Sequence, residues 1–252
     1  MKICFVCFDN VKANKTKNKL VKLYGNSTVE KCNFIVALGG DGFLLKTIHD
    51  YNKFNLPIYG MNLGTIGFLM NKYDEKNLLK NLQEAQKVKI KPLKMKAINQ
   101  NNSNFKSLAF NEVSIIRNTY QAAKLSIKIN GIVRMKELIC DGVLVSTPAG
   151  STAYNLSAHG PIIPLGTNAL ALTPISPFRP RRWRGALIPE STAISIEAID
   201  SINRPISVAA DHNESQNIKS VIIKVAKSIS QTLLFNSNHS FDERILKEQF
   251  IE

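Results

Sequence analysis

At about Val88 the hydrophobic rhythm of the chain changes, and that change limits the possible folds more than any other feature of the sequence. Before it, short apolar runs alternate with helical spacing. Residues 2–8, 33–38 and 57–61 read as strands. Residues 14–24, 43–51 and 74–86 read as helices, the second carrying Leu44, Leu45 and Ile48 and the third Leu78, Leu79 and Leu82 on one face. Such alternation predicts a parallel sheet covered by helices on both sides. Beyond Val88 the period shortens to two. Residues 89–91, 93–99, 105–117, 124–129 and 132–136 alternate apolar and polar, with turn signals at 101–104 and at Asn130-Gly131, a strong hairpin spelling. Further strands are expected at 193–199, 205–210, 218–225 and 229–235, which makes this half a mainly antiparallel β-sandwich. Ser240-Phe241-Asp242-Glu243 spells a capping box. It opens a C-terminal helix with Phe241, Ile245, Leu246 and Phe250 on its apolar side, expected to return to the N-terminal domain. The expected organisation is therefore an α/β domain over residues 1–90, completed by 238–252, and a β-rich domain over 91–237.

The 252 residues give enough core for one large or two modest domains, and 44% apolar with 21% charged residues is the balance of a soluble globular chain. No apolar run approaches a membrane span, and the opening Ile3-Cys4-Phe5-Val6-Cys7-Phe8 is stopped by Asp9, too short for a signal-peptide core. Export is not expected; the cytoplasm is. Cys4, Cys7, Cys32 and Cys140 lie in apolar stretches without the spacing of a disulfide framework. Cys4 and Cys7 are three apart in a strand, so their side chains face opposite ways and cannot close on one metal. The net charge of +14 draws polyanions without choosing among nucleic acid, membrane surface and phosphorylated small molecules. Seventeen of the 25 lysines fall at or before Lys96, many beside asparagines, which equally describes a solvated surface. A basic nucleic-acid-binding protein is the rival reading that this charge motivates, but no recognition-helix pattern, zinc spelling or aromatic-basic platform accompanies it, so no nucleic-acid partner is expected; no membrane partner is expected either.

Three glycine-rich segments follow apolar strands. Gly39-Gly40-Asp41-Gly42 stands between the buried strand 33–38 and a helix, where backbone N–H groups and the helix start suit a phosphate. Asp41 would repel that phosphate unless it holds Mg²⁺ or orients and deprotonates a hydroxyl. By itself the spelling also describes a tight turn whose Asp caps the helix. Lys46, one turn on, is placed to point back and neutralise phosphate. The second segment runs from Gly60 to Phe68, with Phe68 available to cover a base or to enter the core. The third, from Asp141 to Ser157, reads as strand, Pro148-Ala149-Gly150 turn and hydroxyl-rich helix start. It belongs to the 37 residues between Asp141 and Arg179 that contain no Asp, Glu, Lys or Arg. Charge is left out of such a stretch where it is buried, lines a ligand site or meets another subunit. Asn111-Glu112 interrupts an apolar strand with two polar groups able to read a purine or ribose. His49, His159, His212 and His239 show neither triad nor metal spacing.

Gly39-Gly40-Asp41-Gly42, the Gly60 to Phe68 loop, Asn111-Glu112 and Asp141 to Ser157, in this order, resemble the NAD kinase family. Gly-Gly-Asp-Gly alone is shared with diacylglycerol and sphingosine kinases and phosphofructokinase relatives; Thr147-Pro148-Ala149-Gly150-Ser151-Thr152-Ala153-Tyr154 is not. The resemblance implies phosphoryl transfer from ATP, or another donor such as polyphosphate, with Mg²⁺ or another divalent cation, to the 2'-hydroxyl of the adenosine ribose of NAD, giving NADP. It implies that Asp41 is the catalytic aspartate, with Gly42 and Lys46 nearby. It further implies that Asn111 and Glu112 hold the adenosine end and that Phe68 helps enclose it. Asp141, Ala149, Thr152, Ala153, Tyr154, Asn155, Leu156 and Ser157 would bind the rest of the dinucleotide, partly from a neighbouring subunit of a homodimer or homotetramer. Asn213, in Asp211-His212-Asn213, would add a polar contact. Ile139 stands where many relatives carry a basic residue, and the block 178–184, with Arg179, Arg181, Arg182 and Arg184, is unusually basic.

Overall fold

The protein is described here from a computed structural model, which covers residues 1–64, 67–181 and 183–237. The helix expected at 240–250 lies outside the described residues. The chain forms two compact units, one of Met1–Ile90 with the described stretch that starts at Ser230, the other of Lys91–Ile229.

In chain order the first unit contains β1 (Ile3–Cys7), α1 (Val11–Tyr24), β2 (Phe34–Gly39), α2 (Asp41–Tyr51), β3 (Ile58–Asn62), α3 (Leu78–Glu84) and β4 (Gln86–Ile90). The second contains β5 (Leu93–Asn99), β6 (Asn104–Ala109), β7 (Glu112–Arg117), β8 (Ala123–Ile129), β9 (Ile132–Cys140), β10 (Gly142–Ser146), α4 (Tyr154–Ser157), β11 (Ala169–Ile175), β12 (Ala186–Pro189), β13 (Ile194–Ala198), β14 (Ile206–Ala210), β15 (Asn213–Ser215) and β16 (Ile218–Val225). The last strand, β17 (Gln231–Phe235), belongs to the first unit.

The first sheet has the order β1-β2-β3-β17-β4, with β1, β2, β3 and β17 parallel and β4 antiparallel at the edge. Its core gathers Ile3 and Phe5, Val36 and Leu38, Tyr59 and Met61, with Leu20, Leu78 and Leu82 from the helices and Leu234 from β17. The sequence reading gave 89–91 and 229–235 to the second half. Both strands instead close the first sheet, because β17 pairs with β3 on one side and β4 on the other. Their apolar pattern fits either partner, and pairing is decided across more than a hundred residues. Helix α1 starts earlier than expected, at Val11, since the Asn10 side chain accepts from the N–H of Ala13 as an N-cap.

The second unit is an antiparallel sandwich of two six-stranded sheets, β12-β11-β10-β7-β14-β15 and β6-β5-β16-β13-β8-β9. One core fills it, joining Val113, Ile115, Val143, Val145 and Val208 of the first to Leu93, Met95, Leu125, Ile127, Ile196 and Val221 of the second. Asn130 and Gly131, at φ 50° and 82°, make the two-residue β8–β9 turn that their spelling predicts. Strand β11 is absent from the sequence expectation: it is buried along its middle and shows an apolar run broken only by Thr173 in place of alternation. The cysteines are free thiols; Cys4, Cys32 and Cys140 are buried and Cys7 half-buried. Burial raises the first two and pushes Cys140 up to about 12.

Candidate active site

Two glycine segments of the first unit meet at the carboxyl ends of β2 and β3, where ligands of open parallel sheets bind. Gly40 is the N-cap of α2 and Asp41 its first helical residue. Asp41 does not cap its own helix. Its Oδ2 accepts from the N–H of Phe68 at 2.7 Å and its Oδ1 from that of Leu69 at 3.1 Å. Gly67 passes beneath this carboxylate, so close that a Cβ there would stand 2.4 Å from Oδ1. The N–H of Leu63 donates to the carbonyl of Gly39 at 3.0 Å, tying the two segments. Asn71 fixes the return of the second one. Fully buried, it donates from Nδ2 to the carbonyls of Gly60 and Leu234, and its Oδ1 accepts from the N–H of Asn236. Gly42 is exposed in the first turn of α2 and Phe68 is half-buried; Thr65 and Ile66 lie outside the described residues. Lys46 is a correction. It pairs with Asp50 at 3.0 Å, four residues on along the exposed face of α2, instead of pointing back toward the glycines.

In the second unit the Phe110–Glu112 segment is gripped from both edges. On one, the N–H of Thr147 donates to the carbonyl of Asn111 at 2.9 Å and its Oγ1 to that of Phe110 at 2.6 Å. Gly150 lies flat on this segment: a Cβ would meet the Asn111 carbonyl oxygen at 2.2 Å, a backbone atom that cannot turn away. On the other edge the Asp211 carboxylate accepts from three successive amides, Phe110 at 2.7 Å, Asn111 at 3.0 Å and Glu112 at 3.3 Å. The Asp211 N–H donates to the Glu112 carbonyl at 3.2 Å. The backbone of Asn111 and Glu112 is thereby occupied from both edges. Glu112 is half-buried, and its Oε2, shut off from solvent, has no hydrogen-bond partner among the described residues. Burial first, and the nearby Asp211 charge second, push it from 4.5 to about 8.

The Thr147–Ser157 motif divides into inward and outward residues. Ser151 accepts from the N–H of Ile163, and Ala149 is buried. Thr152, Ala153 and Leu156 are partly exposed; Tyr154 and Ser157 are exposed. Asn155, read from sequence as a substrate contact, is fully buried. Its Nδ2 donates to the carbonyls of Ser151 and Pro161, and its Oδ1 accepts from Thr173 at 2.7 Å. Its amide therefore fastens the loop to β11. Asp141 is ion-paired with Arg117 at 2.6 Å and remains partly exposed. Asn213 donates to the Ser107 hydroxyl at 3.2 Å. In the basic block, Arg179 bridges Ile139 through the backbone and the Arg181 guanidinium lies 5.2 Å from the Phe178 ring centre; Arg182 lies outside the described residues.

Among the described residues no group of three or more His, Cys, Asp and Glu side chains could hold a metal, and no helix is long and apolar enough to cross a membrane. Sequence reasoning missed Asn71 and, as an anchoring carboxylate, Asp211. The one local signal was the Asp-His-Asn spelling of a tight turn.

The family profile described as ATP-NAD kinase N-terminal domain matches residues 7–90, and that described as ATP-NAD kinase C-terminal domain matches 110–237. An NAD kinase of Rickettsia bellii is 51% identical over 249 residues, covering 99% of this chain and 98% of its own. One of Caulobacter vibrioides is 49% identical, covering 99% and 96%. Among solved structures, yeast NADH kinase complexed with NADH superposes with a TM-score of 0.82 at 21% identity, covering all of this chain and 87% of its own. An NAD kinase from Archaeoglobus fulgidus in complex with ATP superposes at 0.78 and 22%, with full coverage of both. At those identities the two structures speak to the fold.

Proposed function

This chain belongs to the NAD kinase family and is a phosphotransferase, and from that premise we propose that Asp41 presents the 2'-hydroxyl of the adenosine ribose of NAD to the terminal phosphorus of ATP, with NADP as product. The observation that carries this reading is the locked Asp41 carboxylate, held at the strand ends by the amides of Phe68 and Leu69. Phosphoryl transfer asks the protein mainly for positioning and charge neutralisation. A carboxylate fixed by two amides orients the hydroxyl and accepts its proton late, as a loose transition state allows.

In this reading the amides of the glycine turn, Gly42 among them, face donor phosphates. A divalent cation carried by those phosphates needs few protein oxygens, and Asp41 is the residue of this segment whose chemistry suits it. When bound, the ion neutralises phosphate charge. Lys46 contributes only if it leaves Asp50. Phe68 covers the adenosine, while the side chains of Asn111 and Glu112 hydrogen-bond it. The partly exposed Thr152, Ala153, Tyr154, Leu156 and Ser157, together with Asp141, Ala149 and Asn213, receive the rest of the dinucleotide. Asn155 positions that loop from within. The enzyme acts in the cytoplasm, where free thiols stay reduced, as a homodimer or homotetramer.

The test is an assay of the full chain with Mg²⁺ and NAD, offering ATP, another triphosphate or polyphosphate, with NADP measured and mass determined by light scattering. ATP is expected to support turnover. Failure of every donor, or phosphorylation of diacylglycerol or fructose 6-phosphate in its place, would overturn the reading.

A further inference from the structure

We infer that Asp211 is a positioning residue for coenzyme recognition: its carboxylate, seated on three successive amides, fixes the orientation in which Asn111 and Glu112 present their side chains. The inference rests on the proposed role of those two residues.

Asp211 opens the turn between β14 and β15 with φ at 51°, the left-handed region that glycine occupies at least cost. A residue with a side chain there calls for a reason beyond making the turn. An aspartate in an isolated turn bonds its own backbone two residues on. This one reaches the N–H groups of Phe110, Asn111 and Glu112, about a hundred residues earlier in the chain. Successive amides converging on one anion form a nest, and a carboxylate filling it is held by charge-assisted hydrogen bonds. The Asp211 N–H returns a bond to the Glu112 carbonyl, so the turn and the recognition segment form one closed ring of contacts.

Those contacts determine which way β7 enters the sheet. Val113 pairs with Ala210 and Glu112 with Ser146, so Asn111 and Glu112 stand at the start of β7, one step beyond its last pair with β14, where Asp211 holds their amides and the Thr147 N–H holds the Asn111 carbonyl. The same carboxylate acts on the Glu112 side chain through space. Of the elements around Glu112, β10 presents the uncharged Ser146, and the β14–β15 hairpin presents Asp211, the exposed His212 and the exposed Glu214. Asp211 is the one whose charge bears on the Glu112 carboxyl group.

The experiment compares Asp211→Asn and Asp211→Gly with the parent enzyme by steady-state kinetics in NAD from pH 6 to 9. Asparagine keeps one acceptor oxygen and turns an NH₂ against an amide donor. Glycine suits the left-handed turn and removes the carboxylate, which keeps the test open if the asparagine variant folds poorly. Both are expected to raise the KM for NAD roughly tenfold or more with a smaller change in kcat, and to move the midpoint of its pH dependence downward, since a negative neighbour of Glu112 is gone. A fall in thermal midpoint with KM and pH midpoint unchanged would overturn the inference and leave Asp211 a turn residue. Asn111→Ala and Glu112→Gln are run alongside. If these raise KM and the Asp211 variants do not, the positioning role alone fails; if these leave KM unchanged, the assignment of the adenosine contacts fails and carries this inference down with it.

Discussion

The carboxylate of Asp41 rests directly on the α-carbon of Gly67: a Cβ built there would lie 2.4 Å from Oδ1, 2.5 Å from Cγ and 2.6 Å from Oδ2. No side chain larger than hydrogen fits under the aspartate while it holds the Phe68 and Leu69 amides. The glycine of the second segment is thereby part of the geometry of the first.

Gly67→Ala is expected to force the Asp41 side chain to rotate off those amides. Because the obstacle is a short side chain and not backbone, the fold should survive. Turnover should fall roughly 100-fold, the scale of a catalytic group misplaced by about an ångström, with little change in the KM for NAD. Steady-state kinetics on the folded variant check this, and parent-like turnover would contradict it.

Asp41→Asn tests the carboxylate itself. Asparagine can accept from one of the two amides but sets its NH₂ against the other, a local cost of about 1 kcal/mol or somewhat more. The larger effect is on chemistry: loss of the proton-accepting group should lower kcat by roughly 10²–10⁴-fold. NAD affinity, measured by equilibrium titration, should stay within a few-fold of the parent.

Glu112 makes stability depend on pH. Its acid form is favoured in the folded protein, from 4.5 up to about 8. Below 4.5 both folded and unfolded chains carry the proton and there is no penalty. Between 4.5 and about 8 the unfolded chain has lost it and the folded one keeps it, so stability declines as pH rises, and above about 8 the full cost remains. Glu112→Gln removes the titration. It should raise the unfolding free energy by an amount on the order of a few kcal/mol at pH 8 and leave it nearly unchanged at pH 4. Urea unfolding at the two pH values measures the difference; equal shifts at both would contradict it.

Asn155→Ala would leave the carbonyls of Ser151 and Pro161 and the Thr173 hydroxyl without their partner. The Ser151 carbonyl and the Thr173 hydroxyl belong to buried residues and cost about 1–3 kcal/mol each when orphaned, so the thermal midpoint should drop by roughly 5–20 °C. A loss of NAD binding with an unchanged midpoint would make Asn155 a direct contact after all.

Much of this architecture is written in local pattern. Strands β1, β2 and β3 and helix α2 follow from apolar spacing, helix α1 does so but for its Asn10-capped start, and the Asn130-Gly131 hairpin follows from the need for two left-handed residues. The glycine turn after β2 and the polar pair opening β7 drew attention because each breaks the pattern around it: glycine and an anion where a strand ends, two polar residues where alternation allows one. Burial and backbone conformation are short-range demands, and a short window of sequence meets or fails them.

What the tertiary structure decided is the choice of partners. Strand β17 joins β3 and β4, Asn155 faces inward and Asp211 grips amides a hundred residues away. A donor or acceptor in the sequence states a need without naming who meets it, and several residues could have met each one. Only when the sheets close does a single partner come within about 3 Å, and the penalty for leaving a buried polar group unmatched then fixes the pairing.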